Sequence, residues 1–227
     1  MFNWKYVWVL CPFAAGYLCY RMCRNNKLQF EKTALDHRKH NCVVMYSRER
    51  GMCGWPEYPE GLKTSISTYY LFNEPLLFFV KTAKKTVDIA IMHMSLRALL
   101  DSLVDALDRG VAVRIIFDYT SMRTVDLKFL EAAGAEIIYY VNDESENIFH
   151  YKYAVKDYSD KTKTGYAMCG SMNWSQTGII ENYEDIVLTT AKSVVQSLHD
   201  NFEESWTFLK KENCRNVYVK TVLDDFL

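Results

Sequence analysis

From Thr86 onward the apolar residues change their period several times, and this alternation limits the architecture more than any other feature of the chain. "TVDIAIM" (86–92) is short, apolar and rich in branched side chains, the pattern of a buried strand. Leu96, Leu99, Leu100, Leu103 and Leu107 then recur at three and four, with Ser95 placed to cap a helix and Gly110 to end it. "VAVRIIF" (111–117) returns to strand, residues 125–133 to helix, and "AEIIYYV" after Gly134 to strand. Units that alternate in this way predict a parallel sheet with helices on both faces. Three strand-like segments then follow without a long helix between them, "HYKYAVKD", "GYAMCGSMNWS" and "ENYEDIVLTT", and predict antiparallel members of the same sheet. A closing helix carries Val194, Val195, Leu198, Phe202, Trp206 and Leu209 as its apolar stripe. The expected fold class is α/β, a mixed sheet covered on both faces.

Before this core the chain reads differently. Residues 1–24 contain the uncharged run "YVWVLCPFAAGYLCY", and Phe2 to Tyr20 approaches the roughly 20 residues of a membrane span if Lys5 snorkels to the interface. Three basic residues, Arg21, Arg24 and Lys27, follow it, which for an anchor puts the main domain in the cytosol. The alternative is a cleaved signal peptide ending near Ala14-Ala15-Gly16. Residues 25–60 are polar, and Pro56 and Pro59 break regular structure, so they read as a linker or a small appended element. The regular domain is expected over 61–212 and a tail over 213–227. Net charge is −1, so contact with a polyanion needs a local basic patch, for which Lys81, Lys84, Lys85, Arg97 and Arg123 are the candidates. Seven cysteines, odd in number and scattered, argue against a secreted disulfide framework.

On the first of the three consecutive strands, Tyr151, Tyr153 and Val155 share one face, and His150, Lys152, Ala154 and Lys156 the other. A turn and a second strand bring Gly170-Ser171-Met172-Asn173 back toward His150 and Lys152, and the Gly-Ser pair lets backbone approach a ligand closely.

His150-x-Lys152 with four residues to Asp157, followed by Gly170-Ser171-x-Asn173, resembles the HxKxxxxD…GSxN signature of the phospholipase D superfamily. Within it the layout is similar to the single-motif, membrane-anchored Zucchini-type branch of mitochondrial cardiolipin hydrolases and endoribonucleases. The resemblance covers about Leu62 to Lys211 and implies a phosphodiesterase on a phospholipase D-like sheet. His150 would be the nucleophile, since a neutral imidazole can split one displacement at phosphorus into two through a phosphohistidine. Lys152, Asn173 and the Ser171 hydroxyl would bind the non-bridging oxygens, so that neither metal nor cofactor is required. Glu184 matches the carboxylate that the family sets behind its histidine, and Asp157 looks structural. A one-copy chain would obtain a second imidazole, needed to protonate the leaving oxygen, from a C2 homodimer. The substrate would be single-stranded RNA, cut in piRNA biogenesis, toward which the basic candidates lean, or else cardiolipin, hydrolysed to phosphatidic acid. A catalytically silent membrane scaffold is the third alternative, and the expected location is the mitochondrial outer membrane, facing the cytosol.

Two histidines fall outside the motif. His93 ends the strand "TVDIAIMH", where it would line the cleft or simply be hydrogen-bonded, and His199 reads as a solvated helix residue. The zinc element that relatives carry before the catalytic domain looks lost in "GMCGWPE"; His37, His40, Cys42 and Cys53 form an alternative set with workable spacing.

Overall fold

The computed structural model describes residues 7–123, 125, 127–142 and 147–224, without the side chains of residues 7–16, 122 and 123. Two compact units are present, 1–38 and Lys39–Leu227.

The first unit lies in one long helix, α1 (Val7–Lys39), on which Tyr17, Leu18, Tyr20, Met22, Leu28 and Phe30 are exposed. Among the described residues no helix is long and apolar enough to cross a membrane. The span expected at Phe2–Tyr20 is therefore not found: from Val7 on it forms the first turns of a helix that continues, without a break, into the charged residues before Lys39. Phe2 to Tyr6 lie outside the described residues.

In the second unit, one eight-stranded sheet runs in the order β2-β1-β8-β7-β6-β3-β4-β5. Its strands are β1 (Cys42–Ser47), β2 (Gly51–Cys53), β3 (Thr86–Ile91), β4 (Ala112–Asp118), β5 (Glu136–Tyr140), β6 (Lys152–Ser159), β7 (Thr164–Gly170) and β8 (Glu184–Thr189). β3, β4 and β5 are parallel, as their alternation with helices requires; every other pairing is antiparallel. The helices are α2 (Glu74–Lys81), α3 (Arg97–Asp108), α4 (Lys128–Ala132), α5 (Gln176–Ile180), α6 (Lys192–Arg215) and α7 (Val217–Asp224).

One face of the sheet buries Ile89, Ile91, Ile115 and Ala154 against Leu76 and Phe79 of α2 and Leu99 and Leu103 of α3. The other buries Ala90, Ile116, Tyr153 and Val155 against Val195, Phe202, Trp206 and Leu209 of α6. Arg114 fastens α6 to the sheet: its guanidinium reaches Asp88 on β3 at 2.7 Å and Glu203 on α6 at 2.5 Å.

The sheet corrects three sequence expectations. Residues 42–53 are not linker. β1 pairs with β8 from Cys42↔Leu188 to Tyr46↔Glu184, with Val44 and Tyr46 buried and Val43 and Met45 exposed, so the sheet begins well before residue 61. The tail at 213–227 is helical as far as Asp224, and Val219 on α7 is buried. Ser95 caps nothing: Leu96 holds the N-cap position of α3 without a side-chain cap, and the Ser95 hydroxyl lies 3.0 Å from Nε2 of His93.

Candidate active site

The C-terminal ends of β3, β4 and β7 and the N-terminal starts of β6 and β8 meet at one end of the sheet. His150 sits there, just before β6, held by its neighbours on both sides. The Phe149 amide donates to a carboxylate oxygen of Asp118 at 2.7 Å, and the Tyr151 carbonyl accepts from Met92 N–H at 2.9 Å. Asp118 is itself buried and also accepts from the Thr120 amide at 2.9 Å, so the end of β4 is a fixed anchor for the segment that presents the histidine. The His150 ring is exposed and makes no hydrogen bond among the described residues.

Lys152 is 8% exposed, and its ammonium donates to the His150 carbonyl at 3.0 Å. Burial pushes its pKa below the ordinary lysine range, and the nearby Glu184 carboxylate offsets part of that shift. A cation with so little water around it interacts strongly with an incoming anion.

β7 closes against β8 at Gly170, where a β-carbon would lie 2.1 Å from the Asp185 carbonyl oxygen; only glycine allows the approach. Ser171 follows. Its hydroxyl donates to one oxygen of Glu184 and accepts from the Asp185 amide at 3.1 Å. Asn182 donates to the other Glu184 oxygen at 2.9 Å. The Ser171 proton is therefore committed to Glu184 rather than directed at a ligand, and Ser171 holds a carboxylate in place. Among the described residues Glu184 makes no hydrogen bond to His150; it acts on the site through its field on Lys152.

Asn173 stands one residue before Trp174, whose amide donates to the His93 carbonyl at 3.1 Å and whose carbonyl accepts from the Ser95 amide at 2.9 Å. The Asn173 side-chain oxygen is buried and has no partner among the described residues. Behind it the α-carbon of Gly178 packs so close that an added β-carbon would lie 2.4 Å from the Asn173 backbone oxygen. Ser175 caps α5 by accepting from the Gly178 amide at 3.2 Å.

Asp157 lies at the far end of β6 in a left-handed conformation, φ 52°, at an irregularity in the β6–β7 register. From there its carboxylate accepts from the amides of Lys84 (3.0 Å), Lys85 (2.7 Å) and Thr86 (3.2 Å), and so pins the entry to β3. This fits the structural role expected for it. It also separates two of the five basic candidates, Lys84 and Lys85, from the site. Lys84 and Lys85 lie beside Asp157, five strand residues or about 17 Å from Lys152. Arg97 is paired with Asp101 at 2.8 Å, and the side chain of Arg123 is outside the described residues. Near His150 in the chain Ile148 is exposed, whereas Tyr151 lies on the opposite face, packed on Phe149 and Tyr153 at 5.2 and 5.5 Å; Tyr183 is exposed beside Glu184.

Of the set His37, His40, Cys42 and Cys53, the three residues in the second unit, His40, Cys42 and Cys53, are not among the described groups close enough to share an ion. His40 is packed against Phe78 and Tyr166 at 4.7 and 4.4 Å, with Nε2 3.1 Å from the Lys156 ammonium. Cys42 donates its thiol to the Lys39 carbonyl, and burial pushes its pKa up to about 11. Among the described residues one group is close enough to share an ion, Asp88, His199 and Glu203, but Arg114 already neutralises both acids. His199, expected in solvent, is half-buried and stacked on Tyr158 at 3.8 Å.

Asp118 and Gly178 were missed by sequence reading. Each carries a weak signal: an acid closing an apolar strand, and a glycine inside a short helix.

Residues 76–206, more than half of the chain, match the family model described as "Cardiolipin synthase, PLD-like domain". A mitochondrial cardiolipin hydrolase of Xenopus tropicalis is 26% identical over 133 residues, covering 58% of this chain and 59% of that protein. One from Chlamydomonas reinhardtii is 24% identical over 190 residues, covering 83% and 69%. The chain spans less than two thirds of the length of the Xenopus tropicalis and human proteins that it matches. Among solved structures, NucT from Helicobacter pylori superimposes with a TM-score of 0.53 at 20% identity, over 61% of this chain and 89% of that one, a likeness of fold. The histidine–lysine strand, the Gly-Ser-x-Asn turn and the mixed sheet that joins them thus agree with the family match, and the chain belongs to the phospholipase D-like superfamily.

Proposed function

We propose that the chain is a phosphodiesterase whose nucleophile is the His150 imidazole and whose substrate is a lipid phosphodiester, cardiolipin, cleaved to release phosphatidic acid. The observation that carries this reading is that the end of the sheet that carries an exposed histidine and a buried lysine also receives the Gly-Ser-x-Asn turn that follows β7. His150 attacks phosphorus, and the buried Lys152 ammonium neutralises a non-bridging oxygen. The Asn173 amide donates a hydrogen bond to another. Glu184, held by Ser171 and Asn182, keeps a negative charge near Lys152 that favours the ammonium. These side chains supply the charge that a metal supplies in other phosphodiesterases, so the reaction runs without one.

The choice of lipid over single-stranded RNA rests on what borders the site. Ile148 and Tyr183 offer apolar and amphipathic surface, whereas Lys84 and Lys85 lie at the opposite end of the sheet. The mitochondrial outer surface, with residues 1–24 as the means of attachment, belongs to the same proposal. So does a C2 homodimer. The intact His-Lys-Asn set speaks against a silent scaffold.

The test is purified protein incubated separately with cardiolipin liposomes and labelled single-stranded RNA, each with and without EDTA. Phosphatidic acid from the liposomes, insensitive to EDTA and absent in His150→Asn, supports the reading. Cleavage of RNA alone overturns the substrate assignment, and unchanged turnover in His150→Asn overturns the mechanism.

A further inference from the structure

Between β2 and α2 the chain folds into a turn tied by its own hydroxyls. The Thr68 hydroxyl donates to the Lys63 carbonyl at 2.6 Å, and the Thr68 and Tyr69 amides both donate to the Ser65 carbonyl, at 3.2 and 3.0 Å. The Ser65 hydroxyl lies 3.0 and 2.9 Å from those of Ser67 and Thr68. Ile66, in the middle of this turn, is fully exposed. An isoleucine adds nothing to a turn whose bonds are made by serine and threonine, and the network around it fixes it in water. The turn borders the site: a groove of about 510 Å³ lined by Thr64, Ser65, Ile66, Tyr69 and Gln176 lies between it and the start of α5, and Gln176 follows Asn173 by three residues.

A second projection stands at the same end of the sheet. Tyr46 pairs with Glu184, the first residue of β8, so β1 runs on past the start of β8 and turns through Arg48, Glu49 and Arg50 into β2. Gly51 closes this turn at φ 79°, and the Arg50 amide donates to the Ser47 hydroxyl at 3.2 Å. The acid of the turn is engaged within the protein, since Glu49 accepts from the Tyr183 hydroxyl. Arg48 and Arg50 are exposed.

We infer that these two projections, together with the exposed Ile148 and Tyr183, form a docking surface for an anionic lipid bilayer. The inference rests on the lipid reading above and supplies its approach, because the surface turns His150 toward the headgroups among which the scissile phosphate lies. The side chains suit a bilayer in three ways: isoleucine inserts below the headgroups, tyrosine rests at their level with its ring in apolar and its hydroxyl in polar surroundings, and arginine pairs with phosphate. A stable protein interface needs about 1,000 Å² buried with close shape complementarity, whereas a bilayer accepts separate projections one by one.

Two substrates separate docking from chemistry. The full chain as wild type, Ile66→Ser, Ile66→Leu and the double variant Arg48→Gln/Arg50→Gln are compared on cardiolipin in phosphatidylcholine vesicles and on a water-soluble p-nitrophenyl phosphodiester. Circular dichroism and light scattering report the fold and the oligomeric state. At limiting lipid Ile66→Ser should lose at least about tenfold on vesicles, the scale of burying one isoleucine, and keep the wild-type rate on the soluble ester. Ile66→Leu should match wild type on both. The arginine variant should lose about fivefold on vesicles for each residue replaced, a loss that fades as salt is raised. Ile66→Trp reads the contact without turnover: vesicles of brominated phosphatidylglycerol should quench its emission more than that of wild type. Wild-type rates on vesicles for both Ile66→Ser and the arginine variant, or no added quenching in Ile66→Trp, overturns the inference. So does equal slowing on the soluble ester, which assigns these residues to the site itself, and so does a changed oligomeric state, which assigns the surface to a second copy. If wild type cleaves neither substrate, the phosphodiesterase reading falls while the quenching still decides the docking.

Discussion

The ammonium of Lys156 lies 3.1 Å from Nε2 of His40, in a fully buried site that Phe78, Phe79 and Tyr166 enclose. The same nitrogen donates to the Phe79 carbonyl at 3.0 Å and to the Thr82 hydroxyl. A lysine four residues after Lys152 thus joins β6 to α2 and to the residues that lead into β1, and has no part in binding substrate. Lys156→Ala, which opens a cavity and leaves these acceptors without the ammonium, should cost about 3 kcal/mol in denaturant unfolding. Lys156→Met, which fills the volume, should cost at least about 1 kcal/mol less. Equal losses in the two variants would mean that the charge, and not the packing, dominates.

Asp157 offers the converse case, a motif residue whose work is done far from the chemistry. Asp157→Ala removes the acceptor of three amides and leaves a β-carbon at φ 52°; it should cost about 2–4 kcal/mol. Asp157→Asn keeps one acceptor oxygen and a residue that tolerates the conformation, and should lose less. Below the unfolding transition both should retain kcat, measured on cardiolipin; a large fall in kcat at full folding would place Asp157 in the mechanism.

Gly178 sets the position of Asn173 from behind. Because the obstructing atom is backbone oxygen rather than a flexible side chain, Gly178→Ala must shift the Asn173 turn. A displacement of this order should lower kcat by about 100-fold with a smaller change in KM. Thr177→Ala, at the exposed neighbour, should behave as wild type in the same assay.

Lys152 should give the activity its alkaline limit. Burial lowers its pKa, so the charged form that the reaction uses is lost as pH rises through a value below the ordinary lysine range. In Lys152→Arg the guanidinium stays charged throughout, and the alkaline fall in kcat/KM should disappear even where the rate at neutral pH is reduced. An alkaline limb of unchanged position in the arginine variant would assign the titration elsewhere.

Sequence reading succeeded where a single period persisted. The branched run of β3, the leucine helix α3 and the tyrosine–valine alternation of β6 each carry enough residues to fix both the element and its buried face. β1 carries the same alternation in Val43 to Tyr46, but over few residues, between a charged helix and a Gly- and Pro-rich turn, and it was hidden. The motif told which side chains have the chemistry but not where their protons go: Ser171 donates to Glu184, a choice made by β8, which pairing alone brings alongside. Two of the basic candidates were misplaced for a related reason. Composition counts lysines, and only the direction of β6 shows that Lys84 and Lys85 stand beside Asp157 rather than beside Lys152.

The carboxylate of Asp157 finds the Lys84 amide 73 positions earlier in the chain. β3 and β6, which that contact keeps in register, must meet across the whole β4–β5 excursion, and closing so long a loop has to precede any reward from pairing. Helices α3 and α6 close through local contacts and are expected to form before the seam that presents His150. On the proposed mechanism, a chain still emerging from synthesis cannot act on a phosphodiester until its last strands have been added. The topology itself delays the nucleophile until the fold around it is complete.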